Sequence, residues 1–120
     1  MTQKKRRMIA YITGRLILNK ESTAVYDHDA KAYFNAAGAC NKTKIAVYDY
    51  ERQCYMIGVF SGQRLSIFDH GSRKYVELKI KGKKFEGFDY ESSMHFGGEA
   101  DPKAISLYDF ADKKYHHYVV

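Results

Sequence analysis

Basic side chains share a strand face with a series of tyrosines in this sequence of 120 residues, and together they could bind an anionic polymer. Lys44, Arg64 and Lys84 each stand five residues before a recurrent aspartate, and Lys79 and Lys81 fall on the same face by strand parity. Phosphates would contact the cations, while bases or sugars would stack on the rings. The predicted binding residues are Tyr26, Tyr33, Lys44, Tyr48, Tyr55, Arg64, Tyr75, Lys79, Lys81, Lys84, Tyr108 and Tyr115.

The same pattern also has a purely structural interpretation. Tyrosines can pack against one another across neighbouring strands, and the aliphatic stems of lysines can cover them without any ligand. Both interpretations place the rings and the cations together on one face of a β-sheet.

Five recurrent aspartates raise the question of calcium binding, but their spacing argues against it. Successive aspartates are 22, 20, 20 and 20 residues apart. Equivalent positions two strands apart are separated by about 9.6 Å, whereas the oxygens around one calcium ion lie within about 2.6 Å of it. We predict that each carboxylate accepts backbone N–H groups in a tight turn and that the protein holds no metal.

No linear catalytic motif is present. The sequence has no Gly-x-Ser-x-Gly elbow, no His-Glu-x-x-His pair and no glycine-rich phosphate loop, and no histidine stands at zinc-finger spacing from a cysteine. We predict that the protein is not an enzyme and needs no cofactor. A site assembled from separate turns remains an alternative, with His116, His117, Asp109 and Asp112 as its residues.

The aspartates mark five units of about 20 residues, which form an internal repeat. Each unit has an aliphatic strand that ends in aromatic-Asp, a polar turn, and a second strand with a ring six residues after the aspartate. These later rings are Tyr33, Tyr55, Tyr75, His95 and Tyr115. The pattern predicts an all-β fold, an antiparallel meander of five hairpins with ten or eleven strands. It would be either barrel-like or an open twisted sheet or solenoid.

Strand parity predicts the two faces of these hairpins. The residues two and four before each aspartate are mostly aliphatic, as in Ile45 and Val47, and they form the core face. The residue before each aspartate is aromatic and faces the ring six residues after it, as in the pair Tyr48 and Tyr55.

The N-terminal residues 1–7 are predicted to form a basic disordered tail, followed by a single all-β repeat domain over residues 8–120. Four consecutive basic residues, from Lys4 to Arg7, supply most of the net charge of +6. Residues 8–18 are predicted as a strand, which would make an odd eleventh. It would lie outside a ten-stranded barrel, or the sheet would stay open.

The units resemble the tyrosine-aspartate repeats of large bacterial surface and toxin proteins, and less closely the choline-binding repeats. The resemblance covers residues 23–118 through Tyr-Asp and the following aromatic. The Gly-Arg that usually follows the turn is missing, and there is no tryptophan of the kind that choline-binding repeats use. The resemblance therefore implies hairpins of about twenty residues and no particular function.

The sequence predicts a non-enzymatic binding module that presents an aromatic and basic sheet face to a nucleic acid or an anionic polysaccharide. The alternative is a structural or assembly protein that uses sheet edges to recruit a protein partner or a second copy of itself. No stretch has the length or apolar character of a membrane helix. With two cysteines and no recognisable signal core, we expect a cytoplasmic protein.

Overall fold

The computed structural model describes all 120 residues, with one helix followed by ten strands. The elements are α1 (Gln3–Leu18), β1 (Ala24–Asp27), β2 (Ala32–Cys40), β3 (Ile45–Asp49), β4 (Cys54–Ser61), β5 (Arg64–Asp69), β6 (Lys74–Lys81), β7 (Lys84–Asp89), β8 (Met94–Ala100), β9 (Ile105–Asp109) and β10 (Lys114–Val119). The strands form a closed antiparallel barrel in which each strand pairs with the next and β10 pairs with β1. The predicted all-β meander of hairpins is confirmed in its barrel form, and the open-sheet and solenoid alternatives are wrong.

The hairpins have the predicted register. Val47 lies opposite Met56 and Tyr48 lies opposite Tyr55, and the other four hairpins pair their equivalent positions in the same way. Because successive side chains point to opposite faces of a strand, the aliphatic positions line the interior of the barrel. The aromatic positions therefore lie on the outside.

Residues 3–18 form a helix, which corrects two predictions about the N-terminal segment. The basic residues within 1–7 are not a disordered tail, because the first turns of α1 include Lys5, Arg6 and Arg7, and all three are buried. Residues 8–18 are not a strand. The barrel therefore has ten strands, an even number that closes with every neighbouring pair antiparallel.

The helix occupies the interior of the barrel. Every residue from Lys5 to Arg15 is buried, and Met8 to Ile12 belong to one core cluster with the inward side chains of the strands. A Cβ added at Gly14 would lie 2.6 Å from a methyl group of Val120 and 2.8 Å from one of Ile105. The missing side chain at Gly14 thus lets the helix pack directly against β9 and the end of the chain.

Local signals define both ends of the helix. The Thr2 hydroxyl accepts a hydrogen bond from the Lys5 amide at 3.2 Å, as expected of an N-cap. Asn19 ends the helix in the left-handed conformation with φ of 49°. From Lys5 to Arg15 the helix is buried inside the barrel, so this part of its sequence lacks the polar stripe that normally marks a helix.

Two glycine–phenylalanine pairs fill the interior of the fourth hairpin. Gly87 lies opposite Phe96, and Phe85 lies opposite Gly98. A Cβ at Gly87 would be 2.4 Å from the Phe96 ring, and one at Gly98 would be 2.8 Å from the Phe85 ring. Each ring therefore occupies the space that its glycine partner leaves, which explains why Gly87 interrupts the aliphatic pattern without leaving a hole.

The barrel closes at a short seam between β1 and β10. Two residue pairs form it, Tyr26 with Val119 and Asp27 with Tyr118. Every strand is thus paired on both sides. No helix in the structure combines the length and apolar character needed to cross a membrane.

Candidate binding surface

A buried cluster of ion pairs lies at the end of the barrel where the five turns follow the odd-numbered strands, which we call the aspartate end. Lys5 Nζ lies 2.8 Å from Asp89 and 3.7 Å from Asp69. Arg7 Nε lies 2.9 Å from Asp27. These cations project from the first turns of α1 toward carboxylates on three different hairpins.

Two further arginines complete this cluster. Arg6 lies 3.1 Å from Asp109, and Arg52 lies 2.7 Å from Asp49 and 2.9 Å from Asp69. The five aspartates are at most 3 % exposed. A buried carboxylate is costly unless it is paired and hydrogen-bonded, and each of the five has a cationic partner.

Each aspartate also organises its own turn. One carboxylate oxygen accepts a hydrogen bond from the backbone N–H two residues later, at 2.9 to 3.4 Å in the five turns. The predicted turn role of the aspartates is therefore confirmed. The sequence did not indicate their second contact, with cations of the helix and of Arg52.

The ion pairs keep two of these carboxylates ionised. Burial alone would raise the pKa of Asp69, but the hydrogen bond and charge of Arg52 hold this pKa below its ordinary value. Burial likewise opposes ionisation of Asp89, and the hydrogen bond from Lys5, with help from Ser92, lowers its pKa. Both side chains are therefore anionic at neutral pH.

This cluster changes the charge distribution that the sequence suggested. The buried charged residues are Lys5, Arg6, Arg7, Arg15 and the five aspartates. Taking these and Arg52, which belongs to the same ion-pair cluster, from the twenty basic and fourteen acidic residues of the chain leaves fifteen basic and nine acidic residues outside. The prediction that the basicity lies mostly in an N-terminal tail is wrong, because the excess positive charge lies on the barrel surface.

Three packed rings stand on the outer face of every hairpin, near the aspartate end. In the second hairpin the ring of Tyr48 packs edge-on against Tyr50 and Tyr55, with centroids 5.0 and 4.9 Å apart. The other hairpins repeat this arrangement at 4.7 to 5.0 Å. We call these fifteen rings the aromatic belt: Tyr26, His28, Tyr33, Tyr48, Tyr50, Tyr55, Phe68, His70, Tyr75, Phe88, Tyr90, His95, Tyr108, Phe110 and Tyr115.

The belt contains supporting rings and exposed rings. The central ring of each triad, such as Tyr26, Tyr48 or Tyr108, is half-buried between its neighbours. Seven tyrosine and phenylalanine rings of the belt are 47 to 73 % exposed, and these are Tyr33, Tyr50, Tyr55, Tyr75, Tyr90, Phe110 and Tyr115. The central rings therefore serve packing, as the structural interpretation expected, while the outer rings have faces open to a ligand.

Four of the five predicted cations lie together near the opposite end of the barrel. Arg64 lies across from Lys79, and Lys81 lies across from Lys84, on strands β5 to β7. Lys44 immediately precedes β3, which lies about 9.6 Å from β5 across the intervening strand. All five are exposed. Four of the cations are four residues, or about 13 Å, from the belt along the chain, and Lys81 is six residues, or about 20 Å, from it.

The twelve predicted binding residues share the outer surface but do not form one compact site. Tyr26 and Tyr33 belong to the first hairpin, whereas Tyr108 and Tyr115 belong to the fifth, and the belt encircles the barrel. Only Tyr75 among the predicted tyrosines shares a strand with Lys79 and Lys81. A single ligand on β5 to β7 would therefore contact a subset of the predicted residues.

A groove of about 640 Å³ lies between these cations and the belt. Its lining residues are Arg64, Glu77, Leu78, Lys79, Phe85, Glu86, Gly87, Phe88, His95, Phe96, Gly97 and Phe110. Sequence reasoning identified Arg64 and Lys79 here but missed the two glutamates and the rings of Phe88, His95 and Phe110. The available signal was Glu86, which interrupts a slot filled by small residues in the other hairpins.

The two C-terminal histidines do not form one site. Consecutive residues of a strand point to opposite faces, so His116 lies inside, hydrogen-bonded to Asp29 and Asp112, while His117 lies outside, 3.1 Å from Ser106. His117 therefore lies apart from the other three residues of the alternative site, whereas His116, Asp112 and Asp109 meet around Arg6, which lies 3.8 Å from Asp112 and 3.1 Å from Asp109. No cluster of three or more histidine, cysteine or acidic side chains is arranged to hold a metal ion.

The comparisons with known proteins add no relative. A scan against protein-family models found no match, and searches of curated proteins and of solved structures found none either. The surface described above is thus the basis for assigning a function.

Proposed function

We propose that this protein is a non-enzymatic binding module whose outer aromatic and basic surface binds an anionic polymer, either a nucleic acid or an anionic polysaccharide. The observation that carries this proposal is the surface excess of six positive charges, fifteen basic against nine acidic residues outside the buried ion-pair cluster and core. A basic surface attracts polyanions over several ångströms and releases their counterions on contact.

The most suitable contact surface is formed by β5, β6 and β7. Arg64, Lys79, Lys81 and Lys84 are adjacent there and exposed, and none forms an ion pair within the protein. Tyr75 lies on the same strand as Lys79, with 53 % of its surface exposed. A flexible chain could place phosphates or sulfates on the cations and stack a base or sugar on the ring.

The alternative function, recruitment of a protein partner or a second copy, now has a different basis. Pairing through sheet edges requires an unpaired strand, and the closed barrel argues against that mode. The exposed rings of the aromatic belt would remain as the contact surface for such a partner.

Titration with labelled polymers tests the proposed function. Single-stranded RNA, single-stranded DNA and an anionic polysaccharide are each titrated at two salt concentrations, and we expect at least one to bind. For a nucleic acid, the logarithm of the binding constant should fall with the logarithm of salt at a slope of about −0.7 per neutralised phosphate. Failure of all three polymers to bind at low salt would reject the proposal and favour a protein partner.

A further inference from the structure

The groove between β5 and β8 has a feature that the other hairpins lack. The residue eight positions after the aspartate points outward in each hairpin, and it is Asn35, Ile57, Glu77, Gly97 or His117. Only the fourth hairpin has no side chain at this position. The sheet surface next to Phe88 and Phe110 is therefore not covered by a side chain at this position.

Packing restricts the choice of residue at position 97 much less than it does at Gly87 and Gly98. A Cβ at Gly87 or Gly98 would come within 2.2 or 1.9 Å of a backbone oxygen, which no side chain tolerates. A Cβ at Gly97 would approach a single backbone oxygen to 3.3 Å and other atoms only to 3.8 Å. The fold thus requires glycine at 87 and 98, whereas at 97 a side chain would need only a shift of a few tenths of an ångström at the Phe85 carbonyl group.

No ion pair joins the charged side chains around this space, although oppositely charged residues are close neighbours on the strands. Lys79 lies across from Glu86 on one side and from Arg64 on the other. No ion pair joins these residues or Glu77, whose one side-chain contact is a hydrogen bond from Tyr90 at 3.4 Å. The groove therefore combines two free cations, two carboxylates and the rings of Phe88, His95 and Phe110.

We propose that this groove holds one nucleotide of a single-stranded nucleic acid, with a base that carries an exocyclic amine. This inference rests on the proposed function and specifies its ligand. The base enters the space over Gly97 beside the aromatic rings, and its phosphate contacts Arg64 and Lys79. The volume of about 640 Å³ is within the usual range of pockets for small ligands.

The two carboxylates determine which bases fit. An ionised carboxylate only accepts hydrogen bonds, so Glu77 and Glu86 favour the amino groups of adenine, cytosine or guanine. Uracil presents two carbonyl oxygens around a single N–H, and a carboxylate repels both oxygens. The groove should therefore discriminate adenine from uracil, although a basic surface alone would bind both equally.

The test compares short adenine-only and uracil-only RNA oligomers by fluorescence anisotropy. We expect the intact protein to prefer the adenine oligomer by about tenfold, which is the order of one hydrogen bond to a charged group. Gly97→Ile fills the groove with a side chain that Ile57 already presents at the equivalent position, and it should abolish the preference. The control Ala46→Ile introduces the same side chain on β3, away from the groove, and should retain the preference.

A second variant protects the test against misfolding of Gly97→Ile. Glu86→Gln keeps the shape of the side chain but adds an N–H donor, so it should reduce the preference by binding uracil better. Thermal melting of all variants verifies that they fold. Equal binding of the two oligomers by the intact protein, or an unchanged preference in both groove variants, would overturn the nucleotide site while leaving polymer binding intact. Absence of binding to every polymer would instead reject the proposed function itself.

Discussion

The aspartates that end the odd-numbered strands show how one residue type serves two purposes in this barrel. One carboxylate oxygen of each caps its turn, and the same group compensates a buried cation. The turn contact is local and follows from a short polar segment after a strand, so it could be predicted. The contact between Asp27 and Arg7 joins residues twenty positions apart and depends on where the helix lies, so the sequence pattern could not reveal it.

Acid should destabilise the fold through these carboxylates. The pKa values of Asp69 and Asp89 are lower in the folded protein than the ordinary 3.8. Their ionised forms therefore contribute stability that is present above this ordinary value and is lost as the pH falls through the lower folded values. Urea unfolding at a series of pH values should show a steep decrease in the free energy of unfolding below about pH 4. A constant free energy down to about pH 2 would contradict the ion pairs.

The exposed rings of the belt should act through their faces. Tyr75→Ala should weaken binding of a single-stranded oligomer by about tenfold, because stacking on a ring contributes on the order of 1 to 3 kcal/mol per base. Tyr75→Phe retains the ring and should bind like the intact protein. Fluorescence anisotropy of a labelled oligomer measures both variants. If Phe weakened binding as much as Ala, the hydroxyl group rather than stacking would carry the contact.

At the scale of elements, α1 is the part of the fold that sequence patterns predicted least well. The strands and turns repeat, so five aligned copies identified their ends, faces and register. The helix occurs once, so it has no repeat to reveal it. In the sequence, its charged residues resemble those of a solvent-exposed tail, because nothing local shows that the barrel encloses them. Thr2 and Asn19 at its ends were the only local signals for a helix, because Ile9, Ile12 and Thr13 are β-branched residues that also suit a strand.

Two adjacent lysines test the position of the helix. Lys5 is fully buried against Asp89, whereas Lys4 is exposed. Lys5→Met leaves a buried carboxylate without its closest cation and should reduce the free energy of unfolding by about 3 kcal/mol. Lys4→Met should leave the unfolding curve unchanged. Equal effects of the two substitutions, measured by urea denaturation, would indicate a disordered tail instead.

At the scale of the whole molecule, closure around the helix separates the charges of the chain into two populations. The interior pairs Lys5, Arg6 and Arg7 with carboxylates, and the remaining excess of positive charge lies outside. Counting charges along the sequence gave the correct net value but the wrong location. The groove was missed for a related reason, because Arg64, Glu86 and Phe110 come from three different hairpins and meet only in the closed sheet.

Removing the last two strands tests closure. A chain that ends at Phe96 lacks the last four residues of β8 as well as β9 and β10, which pair with β8 and β1 and also supply Asp109, the partner of Arg6. It should lose its cooperative unfolding transition, because the exposed interior and the unpaired cation both destabilise the remainder. A cooperative transition in the shortened chain, followed by circular dichroism, would show that the strands fold without a closed barrel.

The binding surface on β5 to β7 is the central claim, and the salt dependence of binding tests it most directly. One triple variant changes Arg64, Lys81 and Lys84 to Gln. Its matched control changes Lys31, Arg73 and Lys113 to Gln at the aspartate end, in a left-handed turn position that Gln53 already occupies in the second hairpin. Both variants lose three charges.

We expect the first variant to reduce the steepness of the plot of log binding constant against log salt by up to about 2, since each lost phosphate contact on a single strand removes about 0.7. The control should keep nearly the full slope. An equal reduction in both variants, or a larger one in the control, would contradict a binding surface on β5 to β7.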